Sequence, residues 1–108
     1  MTNFFLDVIE LVKLIPKGWV TTCGRIAKYL GSVKSSRSVG WALNNTKLDD
    51  TIPAHRVVNR NGLLTGRNHF PKPDFMKNKL MAEGILIDDN CIVNLNKYIW
   101  DPIKDLTL

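Results

Sequence analysis

The sequence predicts a mostly α-helical protein with a small β component, arranged as a winged helix-turn-helix domain. Three observations support this class. Apolar residues recur at helical spacing in three successive segments, a short turn with Gly31 joins the second segment to the third, and two short β-type runs come late in the chain. Because the chain has 108 residues, of which 44% are hydrophobic, we expect one domain over residues 1–108 with its own core.

The first helix is predicted over residues 2–15. Its apolar side chains, Val8 and Val12 among them, repeat at intervals of three and four residues, which is typical of an amphipathic helix. The segment Pro16–Gly18 is expected to end it, because both proline and glycine interrupt helical backbone.

Two further helices are predicted to form the helix-turn-helix. The second runs to about Leu30, with Gly31 as the residue that ends it, and the third covers about residues 36–46. The side chains that can cap the two helix starts are Thr21 or Thr22, and Ser35 or Ser36. The sequence alone does not choose within either pair.

The remaining predicted elements are short. They are, in chain order, a strand at Val57-Val58, a turn at residues 59–62, a helix over residues 74–83, and a β-hairpin made of residues 85–87 and 91–93. The hairpin would be the wing of the fold. The aromatic tail at residues 96–102 is expected to pack back against the body.

Charge is distributed unevenly along the chain. The formal net charge is +5, but residues 11–73 carry eleven lysines and arginines against two acids, a local net charge of +9. The rest of the chain carries a net charge of −4. A basic block of this kind is the footprint expected of a surface that binds a polyanion such as nucleic acid; the alternative is a solvated basic face without a partner.

Composition also limits the classes of function. The first residues lack a basic segment and a cleavage site, and no apolar run approaches the ~20 residues that span a bilayer. We therefore expect no signal peptide, no membrane partner and a cytoplasmic location. Cys23 and Cys91 do not have metal-ligand spacing, so we expect reduced thiols, no metal site and no cofactor.

A set of short motifs in a fixed order carries the most specific information. The central motif is Pro53-Ala54-His55-Arg56-Val57-Val58. The others are Ile15-Pro16-x-Gly18, Val20-Thr21-Thr22, Ile26-Ala27, Arg37-Ser38-Val39-Gly40, Ala42-Leu43 and Glu83-Gly84. In this order they resemble the DNA-binding domain of the O6-alkylguanine-DNA alkyltransferases over nearly the whole chain. The resemblance implies a fold of the alkyltransferase C-terminal-domain type, without the family's separate N-terminal domain.

Ala54 stands where the resembling family has its alkyl-accepting cysteine. A methyl side chain has no lone pair, so it cannot attack an alkyl carbon. With this residue and the Trp100-x-Pro102 ending, the chain is most similar to the alkyltransferase-like proteins. The resemblance implies a monomeric, non-enzymatic protein. It would bind duplex DNA through the minor groove, flip O6-alkylguanine into a pocket, and flag it for nucleotide excision repair proteins. In a bacterium it would associate with the nucleoid.

The resemblance places the DNA contacts at the start of the second helix and along the third. Arg37 matches the arginine that enters the duplex and fills the gap left by the flipped guanine. Ser38 and Gly40 are small enough to let the helix backbone approach the groove. The remaining candidates are Thr22, Cys23 and Trp41. Cys23 stands where most of the family has a tyrosine, and Trp41 either stacks beside the groove or packs against the body.

The resemblance also implies a pocket for the modified base. Its candidate residues are Pro53, Ala54, Val57, Asn59, Arg67 and Trp100. Arg67 resembles an arginine that, in the alkyltransferase-like proteins, reaches over the pocket toward the lesion. Trp100 either lines the pocket rim or belongs to the core.

A polar network is expected to support this pocket. In the family, a histidine and a glutamate draw the proton from the cysteine; His55 and Glu83 match them and, beside Ala54, are vestigial. Its candidate members are His55, Arg56, Glu83 and Asn45. Asn45 matches an asparagine that steadies the active-site turn, although Asn44 and Thr46 are open alternatives.

Two other classes of function stay open at this point. The first is an active O6-methylguanine-DNA methyltransferase that uses another cysteine, Cys23 or Cys91, as the acceptor. The second is a winged-helix transcription regulator, which would prefer an undamaged sequence and usually act as a dimer.

Overall fold

The computed structural model describes residues 3–31, 36–46, 49–72 and 74–106. The helices in these ranges are α1 Phe4–Val12, α2 Cys23–Tyr29, α3 Ser36–Asn44, α4 Phe75–Ala82, α5 Leu95–Tyr98 and α6 Pro102–Asp105. The strands are β1 Thr21–Thr22 and β2 Val57–Val58, and two 3-10 helices cover Ala54–Arg56 and Thr65–His69. The mostly helical class with a small β component is confirmed.

Helix α1 is shorter than the predicted range 2–15. It begins after Asn3, whose side-chain oxygen accepts hydrogen bonds from the backbone of Phe5 and Leu6 at 2.9 and 3.3 Å. Tighter turns follow its last residue and carry the chain to Ile15. The early end has a steric cause, because Ile15 precedes Pro16 and proline disfavours helical backbone in the residue before it.

The predicted helix-turn-helix is formed by α2 and α3, which pack against each other. Thr22, not Thr21, caps α2: its Oγ1 accepts from the backbone N of Arg25 at 3.2 Å. Gly31 follows α2 with a φ of +66°, the left-handed backbone that favours glycine. Ser36 is the first residue of α3, and Ser35 lies outside the described residues.

Thr22→Ala is expected to lower the free energy of unfolding by about 1 kcal/mol, because the first turn of α2 loses the side-chain acceptor that satisfies the Arg25 N–H. Thr22→Ser keeps the acceptor and should retain most of the stability. Denaturant midpoints at constant m-value measure the difference. Equal midpoints for the alanine and serine variants would show that the cap contributes nothing.

A two-stranded parallel sheet joins the helix-turn-helix to the Pro53–Val58 motif. Thr21 pairs with Val57, and Thr22 pairs with Val58. Parallel strands need a long crossover, and here α2 and α3 provide it. The start of α2 and the motif are thereby held side by side.

The aromatic tail packs back on the body, as predicted. Val20 donates to the Tyr98 carbonyl at 2.9 Å and accepts from the Trp100 N–H at 2.7 Å, so the tail forms a parallel bridge beside the residue that precedes β1. Both tail aromatics are buried.

The predicted wing is reduced to single bridges. Ile87 pairs with Val93, and Leu63 pairs with Ile92, with no continuous hairpin between residues 85–87 and 91–93 in the described chain. The cause is local, because Cys91 has a φ of +61° and the Asp88 side chain accepts from the backbone of residues 90 and 92.

Among the described residues, none of the helices combines the length and the apolar character needed to cross a bilayer. The same ranges contain no group of three or more histidine, cysteine or acidic side chains placed to hold a metal ion.

Candidate functional site

A cleft of about 680 Å³ separates the helix-turn-helix from the Pro53–Val58 motif. Its lining residues come from α2, α3, the motif and the segment that follows it. They are Cys23, Gly24, Ser36, Arg37, Gly40, Leu43, Asn44, Ala54, Val57, Val58, Asn59, Arg60, Thr65 and Gly66. The charged members are both arginines, so the cleft suits a ligand with negative charge at its edge.

Ala54 contributes a methyl group to this lining. It begins the short 3-10 helix of the motif, and only 2% of its surface is exposed. Its backbone N donates to the Ile52 carbonyl at 2.8 Å, and Arg56 N donates to the Pro53 carbonyl at 3.0 Å. These turns fix Ala54 at the wall of the cleft, where it offers an apolar surface and no nucleophile.

Helix α3 forms the opposite wall because its residues divide between core and cleft. Val39 and Ala42 are buried in the core, Arg37, Gly40 and Asn44 line the cleft, and the buried Leu43 also reaches the cleft lining. At 3.6 residues per turn, positions separated by three, four and seven residues share a face. Gly40 has no neighbour within 4 Å of where a Cβ would stand, so its absent side chain leaves open space at that wall.

The segment after β2 is held by the side chain of Asn59. Its Oδ1 accepts from the backbone N of Asn61 at 2.8 Å and of Leu63 at 2.9 Å. The turn closes at Gly62, which has a φ of +84° and where a Cβ would collide with the Val93 carbonyl oxygen. Asn59 and Arg60 therefore keep a fixed position at the cleft.

A buried polar network lies behind the cleft. His55 Nε2 is 2.9 Å from Glu83 Oε2, and Arg56 donates from Nε and Nη2 to the two oxygens of Glu83 at 3.0 and 2.8 Å. Arg56 Nη1 also donates to the Ile15 carbonyl at 2.8 Å. The network ties the motif to the end of α4 and to the segment after α1, so it fixes the turn that carries Ala54.

Burial and the network shift two pKa values in the same direction. Burial lowers the pKa of His55 below its usual 6.5, and the opposing effect of Glu83 does not restore it. Burial acts to raise the pKa of Glu83, but the hydrogen bonds from Arg56 and His55 outweigh it and hold that pKa below 4.5. At neutral pH, His55 is therefore uncharged and donates from Nε2 to an ionised Glu83.

Several predicted residues lie away from this cleft lining. Thr22 caps α2, and Pro53 precedes the 3-10 helix half-buried. Arg67 donates from Nη1 to the Leu64 carbonyl at 2.9 Å, within its own turn. Trp100 is 5% exposed and belongs to the core. Its backbone N–H donates to the carbonyl of Val20, the residue that precedes β1.

Asn45 also departs from its predicted place in the network. It is exposed, and its Nδ2 donates to the Trp41 carbonyl in the preceding turn at 3.3 Å. The rotation of α3 turns Asn44 toward the cleft instead. Thr46, which follows α3, donates from Oγ1 to the Leu43 carbonyl at 2.8 Å. Within the described residues the network consists of His55, Arg56 and Glu83.

Some lining residues were not predicted from the sequence. Asn44 follows Arg37 by seven residues, so helical spacing could have identified it. Arg60 follows Asn59 directly in the predicted turn. Thr65 and Gly66 reach the cleft only through the course of the loop, for which the sequence contains no signal.

Two further predicted residues, Ser38 and Trp41, line a separate cavity of about 330 Å³ together with Phe4, Phe5 and Arg37. Trp41 does not pack against the body, since 69% of its surface is exposed.

Comparison with known proteins identifies the family. The protein-family model of the DNA-binding domain of 6-O-methylguanine DNA methyltransferase matches residues 3–85 of this chain. A protein of Escherichia coli K12 named DNA base-flipping protein is 39% identical over 103 residues, which cover 92% of this chain and 75% of that protein. Alkyltransferase-like protein 1 of Schizosaccharomyces pombe is 33% identical over 106 residues, which cover 94% of this chain and 98% of that protein.

A solved structure shows the same fold. It is the crystal structure of S. pombe Atl1 in complex with damaged DNA that contains O6-carboxymethylguanine. It matches with a TM-score of 0.81 and 32% identity, over 94% of this chain and 100% of that one. The chain therefore belongs to the 6-O-methylguanine DNA methyltransferase family, among its alkyltransferase-like members.

Proposed function

We propose that this chain recognises O6-alkylguanine in duplex DNA, rotates the modified nucleotide into the cleft beside Ala54, and holds it there without removing the alkyl group. The observation that carries the proposal is the apolar methyl of Ala54 at the wall of a cleft of about 680 Å³, next to an intact His55–Glu83 pair. A methyl group cannot accept an alkyl group, so binding is the end of the process.

The cleft matches the demands of base flipping. An extruded base needs a pocket with apolar walls for its ring and polar groups at its edge. Ala54, Val57 and Leu43 supply apolar wall, and Asn59 supplies a polar group. At about 680 Å³, the open cleft leaves room for an alkyl substituent on O6 as well as for the purine.

Arg37 and the small residues of α3 suit an approach through the minor groove. Arg37 is exposed at the mouth of the cleft, where its planar cation can enter the stack as the nucleotide leaves. Ser38 and Gly40 add little bulk around it. The net charge of +9 in residues 11–73 supplies the phosphate attraction on which overall affinity depends.

The relatives support this assignment by what their names record. The E. coli relative is named for base flipping, and the S. pombe structure holds DNA that contains O6-carboxymethylguanine. A complex that persists because no chemistry releases it would serve as a signal. We propose that the chain acts as a cytoplasmic monomer, nucleoid-associated in a bacterium, and that nucleotide excision repair proteins read this signal.

Lesion recognition is tested by the binding of matched duplexes that differ at one base. We expect a duplex with O6-methylguanine to bind at least about tenfold more tightly than its guanine counterpart, a difference of about 1.4 kcal/mol. Fluorescence anisotropy at a fixed salt concentration measures both affinities. Equal affinities would overturn the proposal. Tight binding of one undamaged sequence would point instead to a transcription regulator.

A second candidate function is alkyl transfer to Cys23, because this thiol lines the same cleft. In that reaction the thiolate sulfur would form a bond to the alkyl carbon, and the carbon–O6 bond would break. The base would retain the bonding electrons on O6 and take up a proton to become guanine. His55 Nε2 is bonded to Glu83 Oε2 at 2.9 Å, and His55 is absent from the cleft lining that includes Cys23, so the histidine of the motif does not face that thiol across the cleft.

Intact mass measurement separates the two functions. After incubation with excess O6-methylguanine duplex, we expect the protein mass to stay unchanged and the lesion to remain in the DNA. A protein that gains one methyl group would establish transfer, and Cys23→Ser would then show whether Cys23 is the acceptor. Cys91→Ser is the matched control, because Cys91 does not line the cleft.

A further inference from the structure

Helix α3 separates two cavities, and Arg37 lines both of them. On one side lies the cleft with Ala54. On the other lies the cavity of about 330 Å³ lined by Phe4, Phe5, Arg37, Ser38 and Trp41, which we call the aromatic cavity. At about 100° per residue, Gly40 and Asn44 fall on one side of Arg37, and Ser38 and Trp41 fall on the other. Arg37 thus stands on the ridge between them.

Exposed aromatic surface distinguishes the second cavity. Trp41 is 69% exposed and Phe5 is 45% exposed, although burial would stabilise both. Phe4 and Phe5 form an edge-to-face pair with ring centroids 6.4 Å apart. The Asn3 cap holds the backbone of the first turn of α1, which carries Phe4 and Phe5. An aromatic platform on two helices is therefore presented to solvent.

The charge around the platform favours DNA as its occupant. Among the described residues that line the aromatic cavity, the charged one is a cation, Arg37. Any DNA that places Arg37 in its stack must lie across the ridge and extend over both cavities. An aromatic ring beside a cation is the combination that binds a nucleobase face and its phosphate.

We propose that Trp41, with Phe4 and Phe5, forms a stacking site for a second nucleobase on the side of Arg37 opposite the lesion cleft. This inference rests on the proposed function, because it requires Arg37 to enter the duplex. The site would add sequence-tolerant affinity, since every base offers a face for stacking. It would also hold the strand open while the modified nucleotide occupies the cleft.

The test compares Trp41→Ala, Trp41→Phe and the matched control Trp19→Ala on the O6-methylguanine duplex. Trp19 is also an exposed tryptophan, at 43%, but it lies in the turn before β1 and lines neither cavity. We expect Trp41→Ala to weaken binding by about 5- to 100-fold. Trp41→Phe should retain most of the affinity, and Trp19→Ala should change it by less than about twofold.

Salt dependence identifies the kind of contact that is lost. Because the indole ring is neutral, Trp41→Ala should shift the plot of log affinity against log salt downward without changing its slope. Acrylamide quenching of tryptophan fluorescence gives a second measurement. In the Trp19→Phe variant the remaining tryptophans are the exposed Trp41 and the buried Trp100, so quenching reports mainly on Trp41. Binding of DNA should reduce this quenching.

The outcomes separate this inference from the proposed function. If the wild-type chain prefers the lesion but Trp41→Ala binds it with unchanged affinity, the stacking site is excluded and the aromatic cavity is left for a protein partner. If the wild-type chain does not prefer the lesion, the proposed function itself fails, whatever the variant does.

Discussion

Arg37→Ala is expected to lower the affinity for an O6-methylguanine duplex by at least about thirtyfold, which corresponds to about 2 kcal/mol. Arg37 stands on the ridge of α3 between the two cavities, and in the proposed function it is the side chain that occupies the gap in the stack. Without it, the extruded state loses both a stacked plane and a charge. The free energy of unfolding should stay nearly unchanged, because Arg37 is exposed.

Two variants make this expectation specific. Arg37→Lys keeps the charge but loses the planar group, so we expect a salt slope close to that of the wild type and a reduced preference for the lesion. Lys28→Ala removes an exposed charge on α2, outside the cleft. It should lower the affinities for the lesion duplex and the control duplex by the same factor. If Arg37→Ala lowered both affinities by the same factor, Arg37 would be a phosphate contact and not an intercalating group.

The sequence predicts those parts of the site that depend on local patterns. A threonine cap at the start of α2 and a helix near residues 36–46 follow from capping chemistry and helical spacing, although the choice of Thr22 over Thr21 comes from the structure. Ala54, Val57 and Asn59 lie with Arg37 and Gly40 in the lining of one cleft. The predicted helices and the strand at Val57-Val58 are confirmed because short-range interactions decide these elements.

Other features depend on contacts that no local pattern records. Whether Asn44 or Asn45 faces the cleft depends on the rotation of α3, which is set by packing against the body. Trp100 is buried because its backbone pairs with Val20, eighty positions earlier in the chain. The wing is interrupted by the backbone conformation of Cys91, which its residue type does not suggest, since non-glycine residues rarely have positive φ.

Glu83→Ala is expected to lower the free energy of unfolding by about 3–5 kcal/mol, a large part of the stability of a domain of this size. The Glu83 side chain is 9% exposed, and it is the acceptor for both His55 and Arg56. Its removal leaves the Arg56 guanidinium with one acceptor, the Ile15 carbonyl. Glu83→Gln keeps one acceptor oxygen and should cost less. Glu10→Ala, a change in an exposed carboxylate of α1, is the matched control and should be nearly neutral.

The pH dependence of stability provides a second measurement on the same network. Both His55 and Glu83 have lowered pKa values in the folded state, so the unfolded chain binds more protons as the pH falls. Stability should therefore decrease on acidification, first below about pH 6.5 through His55 and then below about pH 4.5 through Glu83. In Glu83→Gln, His55 loses the partner that raises its pKa, so its pKa falls further.

Between about pH 7 and about pH 5, Glu83→Gln should consequently lose more stability than the wild type does, although it has lost one acid that titrates. Denaturant unfolding at each pH gives this difference directly. A wild-type stability that instead rises between about pH 7 and about pH 5 would mean that the folded state raises the pKa of His55 and keeps it protonated. The assignment of an uncharged His55 would then be wrong, and a charged His55–Glu83 pair would hold the turn carrying Ala54.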